Sequence, residues 1–517
     1  MCGIFAIFGK CSEKEKIIMK AMSLSKRGPD SFKIISRKNG LYIFHRLAIN
    51  DLSSKGEQPM TSGETVLLCN GEIYNYKELE KQYDLKCDSG SDCEVILRLY
   101  EKIGFPETIK VLYGVFSIIL VDGDNVFISR DRIGVRPLFM ALTHDNYVAV
   151  SSTMNPLDSD FHSVAPFPPG ISICFKNTKP NPEIVCVNAD KVSLSENRLT
   201  DIYTVIHNTL VDAVQKRLLT DRPIGCLLSG GLDSSIITAI LCRLVGSEKI
   251  RTYSIGMKGS TDLAYARVVA GYLSTTHSEV VFTPEEGFNA IPEVIKAIGS
   301  YDITTVRASV GMWLISKYIK ENSEDKVIFS GEGSDEIFGG YLYFHNAPSP
   351  KEAENECLNL VQKLHLYDVL RADRCISDNG LEPRVPFLDR KVVDTAFSLP
   401  AEYKVPVEGC EKYALRKAFT GYLPDAVLWR RKEGFSDGVS GTNKSWYSYI
   451  ADMVEPLVSD KGDFPSKEAR YYKEIYDSIF PNMKNYPIPY WMPKWSNVSD
   501  PSGRLISAFT QPEKKLD

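Results

Sequence analysis

The 517-residue sequence predicts two domains of different class. Residues 2–190 read as a strand-rich α+β layered unit, and 200–517 as an α/β unit on a doubly wound parallel sheet. Three observations carry this. The chain is too long for one ordinary core, since domains hold on the order of 100–200 residues. Short apolar runs bounded by Gly, Asp and Asn crowd the first 155 residues. Beyond 200, strand-like and helix-like segments alternate, as parallel strands with crossover helices do.

In chain order, runs at 2–9, 41–47, 65–69, 115–122, 125–129 and 147–151 read as strands. The first is too short for a secretory apolar region and no basic stretch precedes it, so it reads as a buried strand. Helical spacing covers 13–26 and 92–100. Residues 155–199 carry Pro156, Pro166, Pro168, Pro169, Pro180 and Pro182, which predicts a closing hairpin near 172–175 and a linker. At 200–221, Ile202, Val205, Ile206, Leu210, Val211, Val214 and Leu218 share one helical face, with Thr200 as N-cap. Strands then follow at 224–228, 250–255, 279–282 and 327–329, separated by helices. No repeat or low-complexity tract interrupts them.

The hydrophobic fraction of 43% and the charged fraction of 25% are those of a soluble globular protein. A net charge of −5 argues against a nucleic-acid partner, which needs a dominant basic surface. The 12 cysteines form no CxxC pair, so reduced thiols in a cytoplasmic protein are expected. No apolar run approaches the ~20 residues of a membrane span, and the histidines form no HExxH. Gly434-Phe435-Ser436-Asp437-Gly438 matches GxSxG, but the charged residues before it exclude the buried strand a nucleophile elbow needs.

Ser229-Gly230-Gly231-Leu232-Asp233-Ser234-Ser235 is the sharpest motif. A Ser-Gly-Gly cluster alone is as well a turn; here an apolar strand precedes it and an apolar helix follows. Glycines let the backbone approach an anion, and free N–H groups at a helix start cradle phosphate. Asp233 suits Mg²⁺ bridging phosphate oxygens. The GxxxxGK[ST] spacing of a Walker A loop is absent. The motif resembles the pyrophosphate loop of ATP pyrophosphatases. Ser330-Gly331-Glu332-Gly333-Ser334-Asp335-Glu336 also follows an apolar run, and such loops gather at the carboxyl ends of the strands. Asp335 then joins Asp233 on the metal, Glu332 lies near the reacting carbonyl, and Glu336 reads as a solvated turn residue.

Cys2 follows Met1, and a small second residue permits Met1 removal, leaving an α-amine able to serve its own thiol as base. Met1-Cys2-Gly3-Ile4, Arg27-Gly28-Pro29-Asp30, His45-Arg46-Leu47-Ala48-Ile49, Asn70-Gly71-Glu72-Ile73-Tyr74-Asn75, Ser91-Asp92 and Arg130-Asp131-Arg132-Ile133-Gly134 together resemble class II glutamine amidotransferases. That resemblance implies an N-terminal nucleophile fold, a four-layer α/β/β/α sandwich. It also implies Cys2 as nucleophile toward the glutamine amide and Asn70 with Gly71 as the oxyanion hole. Arg46 would hold the glutamine α-carboxylate, and Glu72 and Asp92 its α-ammonium.

Tyr301-Asp302-Ile303-Thr304-Thr305-Val306-Arg307, Gly339-Gly340-Tyr341, Glu382-Pro383-Arg384-Val385-Pro386-Phe387-Leu388-Asp389, Lys432-Glu433-Gly434-Phe435-Ser436-Asp437-Gly438 and Trp491-Met492-Pro493-Lys494-Trp495 resemble the glutamine-hydrolysing asparagine synthetase family, over nearly the whole chain. The resemblance implies ATP contacts at Leu227, Ser229, Gly230, Gly231, Asp233, Ser234, Ile255, Ser330 and Gly331, with Lys432 on the departing pyrophosphate. It places Thr304, Thr305 and Arg307 at the aspartate or its adenylate, Glu332 in adenylate formation, and a cytoplasmic homodimer. A sealed, mostly apolar route for ammonia between the two sites is expected. Related β-lactam-forming synthetases often lack Cys2 and its pocket, and amidotransferases acting on sugar phosphates lack the Ser229–Ser235 loop. A non-catalytic scaffold would have no reason to keep Asp233, Glu332 and Lys432 with Cys2. Gly434 departs from a position that is polar in many members, and the stretches 347–356 and after 436 read as shortened.

Overall fold

The computed structural model describes residues 1–506 apart from 12, 158, 178–179, 197–199, 442–443, 485 and the side chain of Phe435. The end of the proline-rich linker, and Thr442 and Asn443 after the rejected GxSxG, lie outside the described residues.

Among the described residues of the first half the strands are β1 (Gly3–Phe8), β2 (Ser31–Arg37), β3 (Gly40–Arg46), β4 (Met60–Ser62), β5 (Thr65–Ile73), β6 (Gly114–Asp122), β7 (Asn125–Arg130), β8 (Phe139–Thr143), β9 (Val148–Ser151), β10 (Phe161–Pro166), β11 (Ile171–Lys176) and β12 (Val185–Ala189). They form two six-stranded sheets, ordered β10-β8-β9-β1-β3-β2 and β12-β11-β7-β6-β5-β4. Strand alternation explains how they stack. Ile4, Ala6 and Phe8 of β1 pack with Leu68, Ile119 and Ile128 of the second sheet. Phe5 and Ile7 point the other way, onto Ile17 and Ala21 of the helix Lys14–Ala21. Leu67, Ile118 and Leu120 turn from the sheet interface onto Val95, Ile96 and Leu99 of the helix Glu94–Ile103. The result is the expected α/β/β/α sandwich, and burial on both faces accounts for the unbroken apolar run of β1.

The later strands are β13 (Ile224–Leu227), β14 (Arg251–Gly256), β15 (Thr276–Val281), β16 (Val327–Phe329) and β17 (Glu382–Arg384). All pair in parallel, in the order β15-β14-β13-β16-β17. The winding reverses between β13 and β16, so the loops after these two strands open into the crevice of the switch point.

Some elements differ from expectation. The helix expected over 200–221 is Ile202–Lys216, and its N-cap is Asp201, not Thr200. The strand expected at 65–69 continues to Ile73 and so includes Asn70 and Gly71. The strand expected at 279–282 begins three residues earlier and ends at Val281.

Candidate active site

The loop after β3 gathers the first set of groups. Cys2, just before β1, donates its Sγ–H to the Leu47 carbonyl at 3.6 Å. Burial pushes its thiol up to about 11, although the Met1 ammonium pulls the other way. That ammonium is buried, donates to the Leu381 carbonyl at 2.8 Å and is itself pushed down to about 5 by burial. Arg46 donates to the carbonyls of Ser53 at 2.7 Å and of Asp51. The Asn50 amide donates to Glu72 at 2.8 Å and to Asp92 at 3.2 Å. Asp92 also accepts from the Ile73 N–H at 2.7 Å. Burial raises Glu72 well above the usual carboxylate range, with Glu382 and Asp92 adding to it, and raises Asp92 to about 6.

Asn70 is fully buried on β5, and neither its Nδ2 nor its Oδ1 has a hydrogen-bond partner. A buried amide without a partner costs free energy, which suits a donor kept for substrate oxygen. Next to it, a Cβ on Gly71 would lie 2.4 Å from the Val115 carbonyl, so the cross-strand approach admits only glycine.

The second set surrounds a cleft of about 240 Å³ at the switch point. Every residue expected on ATP lines it except Gly230, and Glu332, Asp335, Thr304 and Thr305 line it too. Gly230 acts from behind: its φ is +71°, and an added Cβ would lie 2.4 Å from the Ala266 nitrogen. Ser229 and Ser234 bond through their hydroxyls at 3.1 Å, folding the loop over the start of the helix Leu232–Val245.

A residue the sequence reading missed joins the two acidic loops. Lys412 Nζ lies 2.7 Å from Asp233 Oδ2 and 2.7 Å from Asp335 Oδ1. Lys432 Nζ lies 2.6 Å from the other oxygen of Asp335. Burial would raise Asp335, but Lys412 and Lys432 outweigh it and hold the carboxyl far below its ordinary value. Burial would lower Lys432, but Asp335 and Asp233 keep it firmly protonated. Lys412 has a positive φ of 55°, unusual outside glycine; no local sequence pattern signals it.

Glu332 accepts from Arg371 at 2.6 Å, and Arg371 also meets Asp368 at 2.6 Å. Burial raises Glu332, Arg371 partly offsets that, and Asp368 adds to it. Glu336, expected in solvent, is instead buried and accepts from the Tyr341 hydroxyl at 2.5 Å. Arg307 also departs from expectation. Its guanidinium is taken by Glu468 and by both oxygens of Asp500, at 2.8 and 2.7 Å, and it does not line the cleft. Two acidic partners neutralise it more completely than a solvated site would.

Among the described residues no group of three or more His, Cys, Asp or Glu is gathered as a protein-only metal cage. Asp233 and Asp335 still fit Mg²⁺, which uses one or two carboxylates together with substrate phosphates. Lys412 Nζ between them shows that the pair attracts a cation.

Comparison with known proteins gives two family models. The one described as glutamine amidotransferase domain matches residues 1–183, and the one described as asparagine synthase matches 206–357 and 348–497. The asparagine synthetase [glutamine-hydrolyzing] of Rattus norvegicus is 43% identical over 562 residues, covering 99% of this chain and 100% of that protein. The chain belongs to the glutamine-hydrolysing asparagine synthetase family. The Gallus gallus member is 42% identical, covering 98% of this chain and 99% of its own length. These alignments span more positions than the chain has residues, so family members carry stretches that this one lacks. A solved glutamine phosphoribosylpyrophosphate amidotransferase from B. subtilis covers 54% of this chain and 80% of its own, at 15% identity and a TM-score of 0.32, too low to add to the argument.

Proposed function

We propose that the residues described above form two catalytic centres working in series. As a family member the chain makes L-asparagine from L-aspartate, with glutamine as nitrogen donor and ATP as co-substrate. One observation carries the serial reading. A single buried apolar cluster contains Leu47, Val115 and Val135 from the first half and Leu228 and Leu232 from the cleft wall, and Cys2 packs against it. Ammonia is nucleophilic only when unprotonated, and an apolar interior keeps it so.

In the first centre, excision of Met1 gives Cys2 the free amine that takes its thiol proton. The thiolate attacks the glutamine side-chain carbonyl, while Asn70 Nδ2 and the Gly71 N–H hold the oxyanion. Ammonia leaves, and water releases glutamate from the thioester. Arg46 holds the substrate carboxylate, and Glu72 with Asp92 holds its ammonium. In the second, the aspartate β-carboxylate attacks the ATP α-phosphorus and diphosphate departs toward Lys412 and Lys432. Mg²⁺, when bound at Asp233 and Asp335, supplies further positive charge there. Ammonia attacks the β-aspartyl-AMP carbonyl, AMP leaves, and Glu332 is the base for the surplus proton. Thr304 and Thr305 face the aspartate; Arg307 supports them by tying their helix to the C-terminal segment.

Among the described residues no helix is long and apolar enough to cross a membrane. The reading extends to a cytoplasmic homodimer, which light scattering after size exclusion tests.

The deciding experiment is Cys2→Ala. Glutamine-dependent asparagine formation disappears, while ammonia-dependent formation stays within about threefold of the parent. Loss of both counts against two centres in series.

A further inference from the structure

One residue touches both centres. Arg384 ends β17, opposite Phe329 of β16. Its carbonyl accepts from the Ser330 N–H at 2.9 Å, at the start of the second phosphate loop. Its side chain has no solvent exposure, and Nη2 lies 3.3 Å from Glu72 Oε2 in the glutamine pocket. Nε donates to Glu382 Oε1 at 2.9 Å, and Nη1 donates to the carbonyls of Arg217 and, at 2.7 Å, Leu219. Nη2 makes no hydrogen bond of its own, so its hold on Glu72 is electrostatic and can be given up. The segment it grips continues into Asp221 and Arg222, which bond the carbonyls of Ile49 and Ala48 at 3.0 and 2.9 Å. The synthetase half therefore builds one wall of the glutamine pocket.

Without ligand, Glu72 is shared by Asn50 and Arg384. A ligand ammonium arriving on Glu72 brings a second full positive charge into a pocket of low dielectric, where like charges repel strongly. Glu382 already holds the other side of the guanidinium and can take more of it. Any adjustment of Arg384 is one residue's backbone away from the Ser330 N–H.

We propose that Arg384 is a positioning residue that couples occupancy of the glutamine pocket to the geometry of the Ser330 phosphate loop. This rests on the reading that Glu72 receives the glutamine α-ammonium. Coupling between sites is reciprocal, so ATP must change glutamine affinity as much as glutamine changes ATP affinity.

The test uses the full chain with Cys2→Ala, which binds glutamine without consuming it. Calorimetry gives the glutamine Kd with and without saturating ATP. The expected ATP effect is about fivefold or more, the usual range of such coupling, and falls below about twofold when Arg384→Met is added. If Arg384→Met does not fold, Glu382→Gln serves. It keeps the arginine but weakens the receiving carboxylate, and is expected to reduce the ATP effect likewise. No ATP effect in the Cys2→Ala protein, or a full effect surviving in whichever variant folds, overturns the proposal. Glu72→Gln separates the two readings. An unchanged glutamine Kd in that variant defeats the pocket assignment, whereas weakened binding with coupling intact in Arg384→Met defeats only the role of Arg384.

Discussion

Lys412 holds a left-handed backbone, a conformation costing a non-glycine residue on the order of 1–3 kcal/mol unless its surroundings enforce it. Its side chain is held at the far end by two carboxylates, Asp233 and Asp335. Lys412→Met leaves Asp233 without its cation and Asp335 with Lys432 alone. Breaking a buried pair from one side costs about 3–5 kcal/mol, to be read from urea denaturation. Synthesis with either nitrogen donor should fall by about 10² or more, as when one preorganised charge donor is removed. Glutamine hydrolysis, housed elsewhere, should change little. Asp92 allows a prediction from pH. Burial raises it to about 6, so below that pH it is neutral and cannot pair with a substrate ammonium. The kcat/KM for glutamine should therefore drop as pH falls through about 6, and Asp92→Asn should change that limb while leaving the contribution of Glu72, which burial raises as well. Ammonia-dependent synthesis, referred to free NH₃, should not show it. Cys2, Asn70, Asp233 and Glu332 were legible in the sequence because each sits inside a contiguous motif. Lys412, Arg371 and Arg384's contact with Glu72 were not: each acts on a partner remote in sequence, and nothing local separates such residues from ordinary surface charges.

The same division holds for whole elements. The runs of β1, β3 and β6 are buried along nearly their whole length, so their apolar residues are consecutive and readable. β16 is readable for the same reason, whereas β13 is buried only at its centre. β2 and β10 carry partly exposed, mixed residues and were missed. β17 is Glu-Pro-Arg, a sequence with no strand character of its own. It is a strand because β16 offers a free edge and because Glu382 and Arg384 satisfy each other in the interior. The loop between β13 and its helix carries its sequence signal in its glycines, and the geometry at Gly230 has a consequence. A Cβ there would meet backbone, 2.4 Å from the Ala266 nitrogen, at a positive φ. Neither obstacle can move as a flexible side chain could. Gly230→Ala should displace the phosphate loop by up to about 1 Å and reduce ATP-dependent synthesis by up to about 10². A synthesis rate near that of the parent, with ATP affinity unchanged, would show the loop to be tolerant.

At the scale of the molecule, the two halves share their interior. Phe5 and Ile7 of β1 lie in one apolar cluster with Ile291, Val294 and Ile298 of the helix Pro284–Ile298. Asp373 of the second half receives Arg27 at 2.9 Å and Arg136 at 3.4 Å from the first, and all three side chains are at most 4% exposed. The Tyr113 hydroxyl donates to Asp389 and Arg132 pairs with Asp394 at 2.6 Å, so the contact continues to the rim. Unfolding either half alone would uncover an apolar face on the other and remove the partner of Arg27 and Arg136, or the partners of Asp373. Desolvated charges without partners are among the costliest defects a fold can carry. Separate unfolding of one half is therefore disfavoured, and the chain should lose structure in one cooperative step. The tryptophans make this measurable, because Trp313, Trp429, Trp446, Trp491 and Trp495 all lie beyond the linker. Their emission follows the second half alone, while residual glutamine hydrolysis follows the first. Along a urea titration the two midpoints should coincide, and Asp373→Asn should shift both downward together. Hydrolysis that outlasts the change in emission would mean that the shared interior does not bind the halves into one unit, and the proposed route for ammonia across it would lose its structural basis.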